Sequence, residues 1–155
     1  MKEAIRLVAL CDILGFKELI RLHSLSWVHG NYKKLIDHAR LQIRHGKEVA
    51  AEYAVKEAFD YTIFSDSLII WSADLHIHPS TSEEELELQK KYIDFLMTVK
   101  SLVAASTYCK MPLRAGVAIG ACIIDKRRKI YIGQPIIDAY QTESVQDWIG
   151  IGIQH

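Results

Sequence analysis

The stretch Ala4–Ile5–Arg6–Leu7–Val8–Ala9–Leu10–Cys11, followed by Asp12–Ile13–Leu14–Gly15–Phe16, decides how the chain is read. Its first part is short, continuous and apolar, and a glycine-containing turn closes it, which predicts a buried strand over Ala4–Cys11. Beyond the turn, Phe16–His23 has a helical pattern that offers Leu19, Ile20 and Leu22 to a core. A second helix is predicted over Asn31–His45, with Leu35, Ile36, Ala39 and Ile43 on one face and Gly46 as its stop. Ala58–Phe64 and Leu68–Ser72 read as strands joined tightly around Ser65–Asp66–Ser67. Pro79, Ser80 and Thr81 mark Asp74–Ser82 as a loop.

Ser82 with Glu85 three residues on forms a capping-box pattern. It opens a helix predicted to reach Tyr108, with Leu88, Tyr92, Phe95, Leu96 and Val99 on its core side. After Pro112 comes a strand over Leu113–Asp125, then the basic turn Lys126–Arg127–Arg128 and a short strand over Lys129–Ile132. Pro135–Gln146 reads as a helix with proline in its first turn, and Trp148–Ile153 begins a last strand. The order is β-α-α-β-β-α-β-β-α-β. It predicts an α/β (α+β) domain, a mainly antiparallel sheet with helices packed on it, of the ferredoxin-like split-βαβ kind. We expect one domain over residues 1–155 that continues past His155, because the last strand has only just formed there.

Composition sets the class. A chain of 155 residues, 50% apolar and 25% charged, suits one hydrophobic core. Lys and Arg total 19, as do Asp and Glu, so the net charge of zero argues against nucleic acid or an anionic membrane as partner. No apolar run is long enough to span a bilayer, and the N-terminus, Met1–Lys2–Glu3, lacks the long apolar segment of a signal peptide. Cys11, Cys109 and Cys122 are odd in number and far apart. Cys11 and Cys122 fall in strands, so buried free thiols and a cytoplasmic location are expected.

Asp12 and Asp66 carry the chemistry. A carboxylate beside a buried strand is costly unless something pairs with it. Two of them at neighbouring turns could hold a divalent metal and so handle phosphate; either alone also fits a turn or helix cap. His76 and His78 have no cysteine or acidic partner to complete a zinc site. Ser65 and Ser67 have no histidine suited to activate a nucleophile. The basic turn reads either as a phosphate contact or as a solvated hairpin.

At this point a family resemblance emerges. Asp12–Ile13–Leu14–Gly15–Phe16 resembles the first metal motif of class III nucleotidyl cyclases, the adenylate and guanylate cyclase family. Phe64–Ser65–Asp66–Ser67 resembles the hairpin with the second metal aspartate, although the family usually has glycine where Ser65 stands. Leu113–Arg114–Ala115–Gly116–Val117–Ala118–Ile119–Gly120 is similar to the strand that follows. Tyr131–Ile132–Gly133, then Ala139 and Glu143, is similar to the glycine-to-helix segment. The motifs cover nearly the whole chain in the family's order.

The resemblance implies two Mg²⁺ or Mn²⁺ ions between Asp12, Asp66 and the Ile13 carbonyl, with both aspartates catalytic. A nucleoside triphosphate would close to a 3′,5′-cyclic nucleotide and release pyrophosphate. Leu14, Gly15 and Phe16 would offer backbone donors to phosphate, and Thr62, Ser65, Arg114 and Asp138 would line the nucleotide. It further implies a homodimer with sites at the interface, and a role in bacterial signalling. Departures are also plain. Ile137 and Gln141 stand where the family has its transition-state asparagine and arginine. Thr62 and Ile130 stand where it reads a purine. Asp138, Tyr140, Arg114, Lys126, Arg127 and Arg128 are candidates to substitute. The hairpin, with Gly133, Ala139–Tyr140 and Glu143, is similar to bacterial cyclases that make cyclic pyrimidine nucleotides in antiphage defence. The alternative is an inactive pseudo-cyclase that binds nucleotide, regulates or dimerises.

Overall fold

β1 (Ala4–Ile13) is central in the sheet of the computed structural model, which describes residues 3–52 and 59–154, those of 45–52 by their backbone. The strand runs on through Asp12 and Ile13, past its predicted end, because both still pair with β4 (Leu113–Asp125), Asp12 opposite Arg114 and Ile13 opposite Leu113. On its other side β3 (Ser67–Ser72) is antiparallel, with Ser67 opposite Asp12. β2 (Phe59–Phe64) joins β3 through the tight turn at Ser65–Asp66, as predicted; Ala58 lies outside the described residues. The resulting order β4-β1-β3-β2 is that of the split βαβ unit. β4 has two neighbours on its far flank. β6 (Gly150–Ile153) runs parallel to Arg114–Val117, and β5 (Ile130–Gly133) antiparallel to Cys122–Asp125.

Strand alternation divides the core. Leu7, Ala9, Cys11 and Ile13 face the layer of α1 (Phe16–Leu22), α2 (Leu25–Glu52) and α3 (Ser82–Tyr108). Val8 and Leu10 face the other way, toward α4 (Gln134–Ser144). Phe95, Val99 and Leu102 of α3 are fully buried, each contributing about 1.5–3 kcal/mol of burial. α4 sits very close to β4: a Cβ on Gly116 would lie 1.9 Å from the Ala139 carbonyl oxygen. Cys11 and Cys122 are buried free thiols, as expected, and burial pushes Cys11 up to about 12.

Three local expectations need correction. Ile20 and Leu22 are exposed; Phe16 and Leu19 alone of α1 pack on the core, because so short a helix at the sheet's end turns one side inward. α2 starts at Leu25, where the Ser24 hydroxyl accepts the Trp27 N–H at 3.3 Å, and continues through Gly46. An interior glycine costs about 1 kcal/mol, too little to stop a helix whose next residues, Lys47, Glu48, Ala50 and Ala51, are strong helix formers. The cap of α3 is Thr81, one residue earlier than predicted. Its hydroxyl accepts from the Glu84 N–H at 3.2 Å, and the Glu84 carboxylate accepts from the Ser80 N–H at 2.6 Å.

Candidate functional site

Asp12 and Asp66 come together at one end of the sheet. The link is backbone: the Ile13 N–H donates to the Asp66 carbonyl at 3.2 Å. In an extended strand a residue's N–H and C=O point to the same neighbour, so the Ile13 carbonyl also lies on the Asp66 flank. The turn itself is unusual, because Ser65 holds φ 53° in the left-handed region that favours glycine. A brace holds it there: the Tyr32 hydroxyl, from α2, donates to the Ser65 carbonyl. Tyr32 in turn packs its ring against Phe16, 6.3 Å between centroids. Burial first, then the Asp66 charge, raises the Tyr32 hydroxyl above its usual value.

Asp12 is held on both oxygens. Ser67 donates its hydroxyl to one at 3.1 Å, and Arg114 places Nη2 3.6 Å from the other. Burial raises the Asp12 carboxyl, the Ser67 hydrogen bond opposes this, the Asp66 charge adds to it, and Arg114 opposes it again. The two aspartates are thus close enough to repel. Arg114 is itself fixed. Its Nη1 donates to the Gln146 carbonyl at 2.6 Å, and its Nε is in ion-pair contact with Glu143, a residue 2% exposed. Burial raises the Glu143 carboxyl and Arg114 opposes the shift.

Hard oxygen donors of this kind, two carboxylates and a carbonyl, suit Mg²⁺ or Mn²⁺. No group of three or more His, Cys, Asp or Glu side chains that could hold a metal gathers among the described residues. A cation here would therefore take its remaining ligands from water and substrate phosphate, the usual habit of Mg²⁺.

The other predicted residues divide. The Leu14 N–H is spent on the Pro112 carbonyl at 2.8 Å, so of the three expected amides only those of Gly15 and Phe16 are left for a ligand. Both lie at the start of α1, where no carbonyl of the helix reaches them; Gly15 takes φ 72° there. Arg114 is in ion-pair contact with both Asp12 and Glu143 and donates to the Gln146 carbonyl, so it is held beside Asp12. Thr62 shares the Asp12 face, in a row with Ile69 and Leu10. Ile130 is opposite Asp125 and faces away from its neighbour Tyr131. Asp138 accepts from Gln134 at 2.8 Å on α4. Lys126 and Arg128 are taken up by Asp60 and Asp125 at 2.6 and 3.0 Å, not by Asp12 or Asp66. Ile137, Tyr140 and Gln141 are exposed on α4.

Sequence reasoning missed Tyr32, Ser67 as a partner of Asp12, and Phe64. Phe64 is 81% exposed in the row Phe64, Ser67, Asp12, Arg114. Nothing local flags a tyrosine in a helix as the brace of a turn more than thirty positions away.

No family model matches the chain, and no curated protein matches it by sequence. Solved structures do match. The monomeric guanylyl cyclase domain of the RhoGC fusion protein from the aquatic fungus Blastocladiella emersonii aligns over 99% of this chain and 82% of its own, at 13% identity and TM-score 0.65. The guanylate cyclase domain of RhGC from Catenaria anguillulae, in complex with GTP, aligns over 99% and 80%, at 13% identity and TM-score 0.61. A class III adenylyl cyclase-like ATP-binding protein from Pseudomonas aeruginosa aligns over 98% of this chain and 33% of its own, at 14% identity and TM-score 0.61. At such identities the likeness is one of fold. No helix of the described residues is long and apolar enough to cross a membrane. With its β4-β1-β3-β2 core and its pair of aspartates at one sheet end, the chain has the fold of a class III nucleotidyl cyclase catalytic domain.

Proposed function

We propose that this chain is a metal-dependent nucleotidyl cyclase that works as a pair of copies. The observation that carries the reading is the junction of Ile13 with Asp66, which sets two carboxylates and a carbonyl at one sheet end. Asp12, Asp66 and the Ile13 carbonyl would hold Mg²⁺ or Mn²⁺. Bound there, the metal supplies an activated ribose 3′-oxygen and neutralises triphosphate charge. The chain's own part is positioning. Ser67 and Arg114 keep Asp12 in one rotamer, Tyr32 keeps the hairpin turn in place, and the Gly15 and Phe16 amides face phosphate oxygens. The 3′-oxygen then bonds to the α-phosphorus as the bond to pyrophosphate breaks.

α4 supplies the argument for a second copy. Ile137 and Tyr140 are 50% and 57% exposed, and Ile132 of β5 is 61% exposed. Apolar groups at these positions suit contact with another chain. The same positions favour a second reading. Ile137 and Gln141 cannot neutralise a developing phosphate charge, which suits a pair that binds nucleotide without turning it over; the Pseudomonas neighbour is named as an ATP-binding protein.

One experiment separates them. The protein is incubated with Mn²⁺ and each of ATP, GTP, CTP and UTP, and cyclic nucleotide and pyrophosphate are sought by mass spectrometry. Product from one base, lost in Asp12→Asn, supports the cyclase and names its substrate. No product, with a nucleotide-dependent rise in melting temperature, supports the binding module. Neither result would reject both.

A further inference from the structure

The first turns of α2 carry two faces. Val28, Tyr32 and Leu35 pack on the core, and Tyr32 reaches the Ser65 carbonyl. Trp27, Gly30, Asn31 and Lys34 recur at i, i+3, i+4 and i+7, the spacing of a single helix side. With Tyr108 and Lys110 from the end of α3 they line a cavity of about 310 Å³, a size within the range of small-molecule sites, roughly 300–1,000 Å³. None of these residues belongs to the Asp12 site.

The lining is aromatic and cationic. Trp27 stacks on the His23 ring, 3.8 Å between centroids, and Tyr108 is 89% exposed. No lining residue is acidic, and neither Lys34 nor Lys110 has an ion-pair partner among the described residues. Burial raises the Cys109 thiol and the Lys34 charge opposes the shift, so Lys34 extends from α2 toward the end of α3. Two cations brought to one cavity repel, and a bound anion would relieve this. Asn31 is 8% exposed. Its amide nitrogen donates to the Trp27 carbonyl at 3.1 Å, and its amide oxygen has no donor among the described residues. A buried acceptor in that state calls for one. Gly30 adds a separate sign. An interior helix glycine costs about 1 kcal/mol against alanine, and close packing does not explain this one, since a Cβ there would meet nothing within 4 Å. What the glycine leaves is room in the cavity wall.

We propose that this cavity is a binding site for a nucleoside monophosphate, separate from the Asp12 site. The base lies against Trp27 and Tyr108, the phosphate on Lys34 and Lys110, and a base or ribose donor on the Asn31 amide oxygen. A phosphate monoester carries a charge of about −1.5 to −2 at pH 7, which two lysines match. Stacking accepts purine and pyrimidine alike, because every base has a π-face. The site uses no metal, so it stands or falls independently of the cyclase reading.

The test is calorimetric titration in EDTA, so that no metal serves the Asp12 site, with AMP, UMP, ribose 5-phosphate and phenyl phosphate. AMP or UMP should bind once per chain, and the two truncated esters at least about ten-fold more weakly. Lys34→Glu and Lys110→Glu change exposed side chains, and each should weaken binding about ten-fold. Gly30→Leu should fill the cavity and abolish binding without lowering the melting temperature, because leucine favours helix over glycine. Asp12→Asn should leave binding as it is. Four results would each overturn the site: no binding of AMP or UMP, equal binding of a truncated ester, binding that survives the lysine and glycine variants, or binding lost in Asp12→Asn. Failure of the cyclase reading looks different: no turnover with Mn²⁺, whatever binds in EDTA.

Discussion

Two regions of one sheet face are built on opposite plans. At the Asp12 end the contacts are linked: Asp12 is tied to Ser67 and Arg114, and Arg114 to Glu143 and the Gln146 carbonyl. At the β4–β5 hairpin end the polar and ring contacts are one partly exposed ion pair, a tilted ring pair and a lysine over an aromatic ring. The first arrangement is preorganised, which is what the proposed chemistry requires. The second is more loosely held. Rigidity is thus concentrated at the end where the proposed chemistry would need it.

The largest effect should come from the rigid end. Asp12→Asn keeps the shape and removes the charge, and turnover with Mn²⁺ should fall at least about 100-fold. Pyrophosphate release measures this, with circular dichroism to show an unchanged fold; an active variant would remove Asp12 from the chemistry. Next is the seat of α4. Gly116→Val drives a side chain into the Ala139 backbone and should cost about 2–3 kcal/mol in urea denaturation. A stability near that of the parent would mean that α4 is free to move off β4.

The loose side predicts smaller changes. Ile137→Glu puts a charge into the exposed apolar surface of α4 and should weaken self-association about ten-fold. Sedimentation measures it, and the melting temperature should hold because the side chain is half exposed. Unchanged association would place the second copy elsewhere. Smallest is Tyr32→Phe. It removes the brace on the Ser65 carbonyl and should cost about 1 kcal/mol, with a higher Mn²⁺ concentration needed for half-maximal turnover. If stability falls and the Mn²⁺ requirement stays, the brace serves the fold and not the site.

Much of the fold was legible. The apolar run before Asp12 announces a central strand because a short continuous hydrophobic segment has few other uses, and Ser65–Asp66–Ser67 announces a hairpin. Errors fell at helix ends. Ser24 caps a helix without standing out in the sequence, and Gly46 looks like a stop although its flanks favour helix. Asp12 and Asp66 were visible as candidate ligands from their flanks. What holds them was not visible, since Tyr32, Ser67 and Arg114 look ordinary in their own segments. Glu143 entered only as part of a motif, and its buried contact with Arg114 gives that motif a physical reason.

By itself, then, the sequence determined the order of elements, the hairpin and the two candidate carboxylates, because each depends on neighbours within a few residues. Tertiary structure alone decided that Ile13 meets Asp66, that Arg114 faces Asp12 rather than solvent, and that Lys126 of the β4–β5 hairpin reaches Asp60. These are contacts between residues far apart in the chain. Their energies become available only when the sheet has formed and brought the partners together, so no local pattern encodes them.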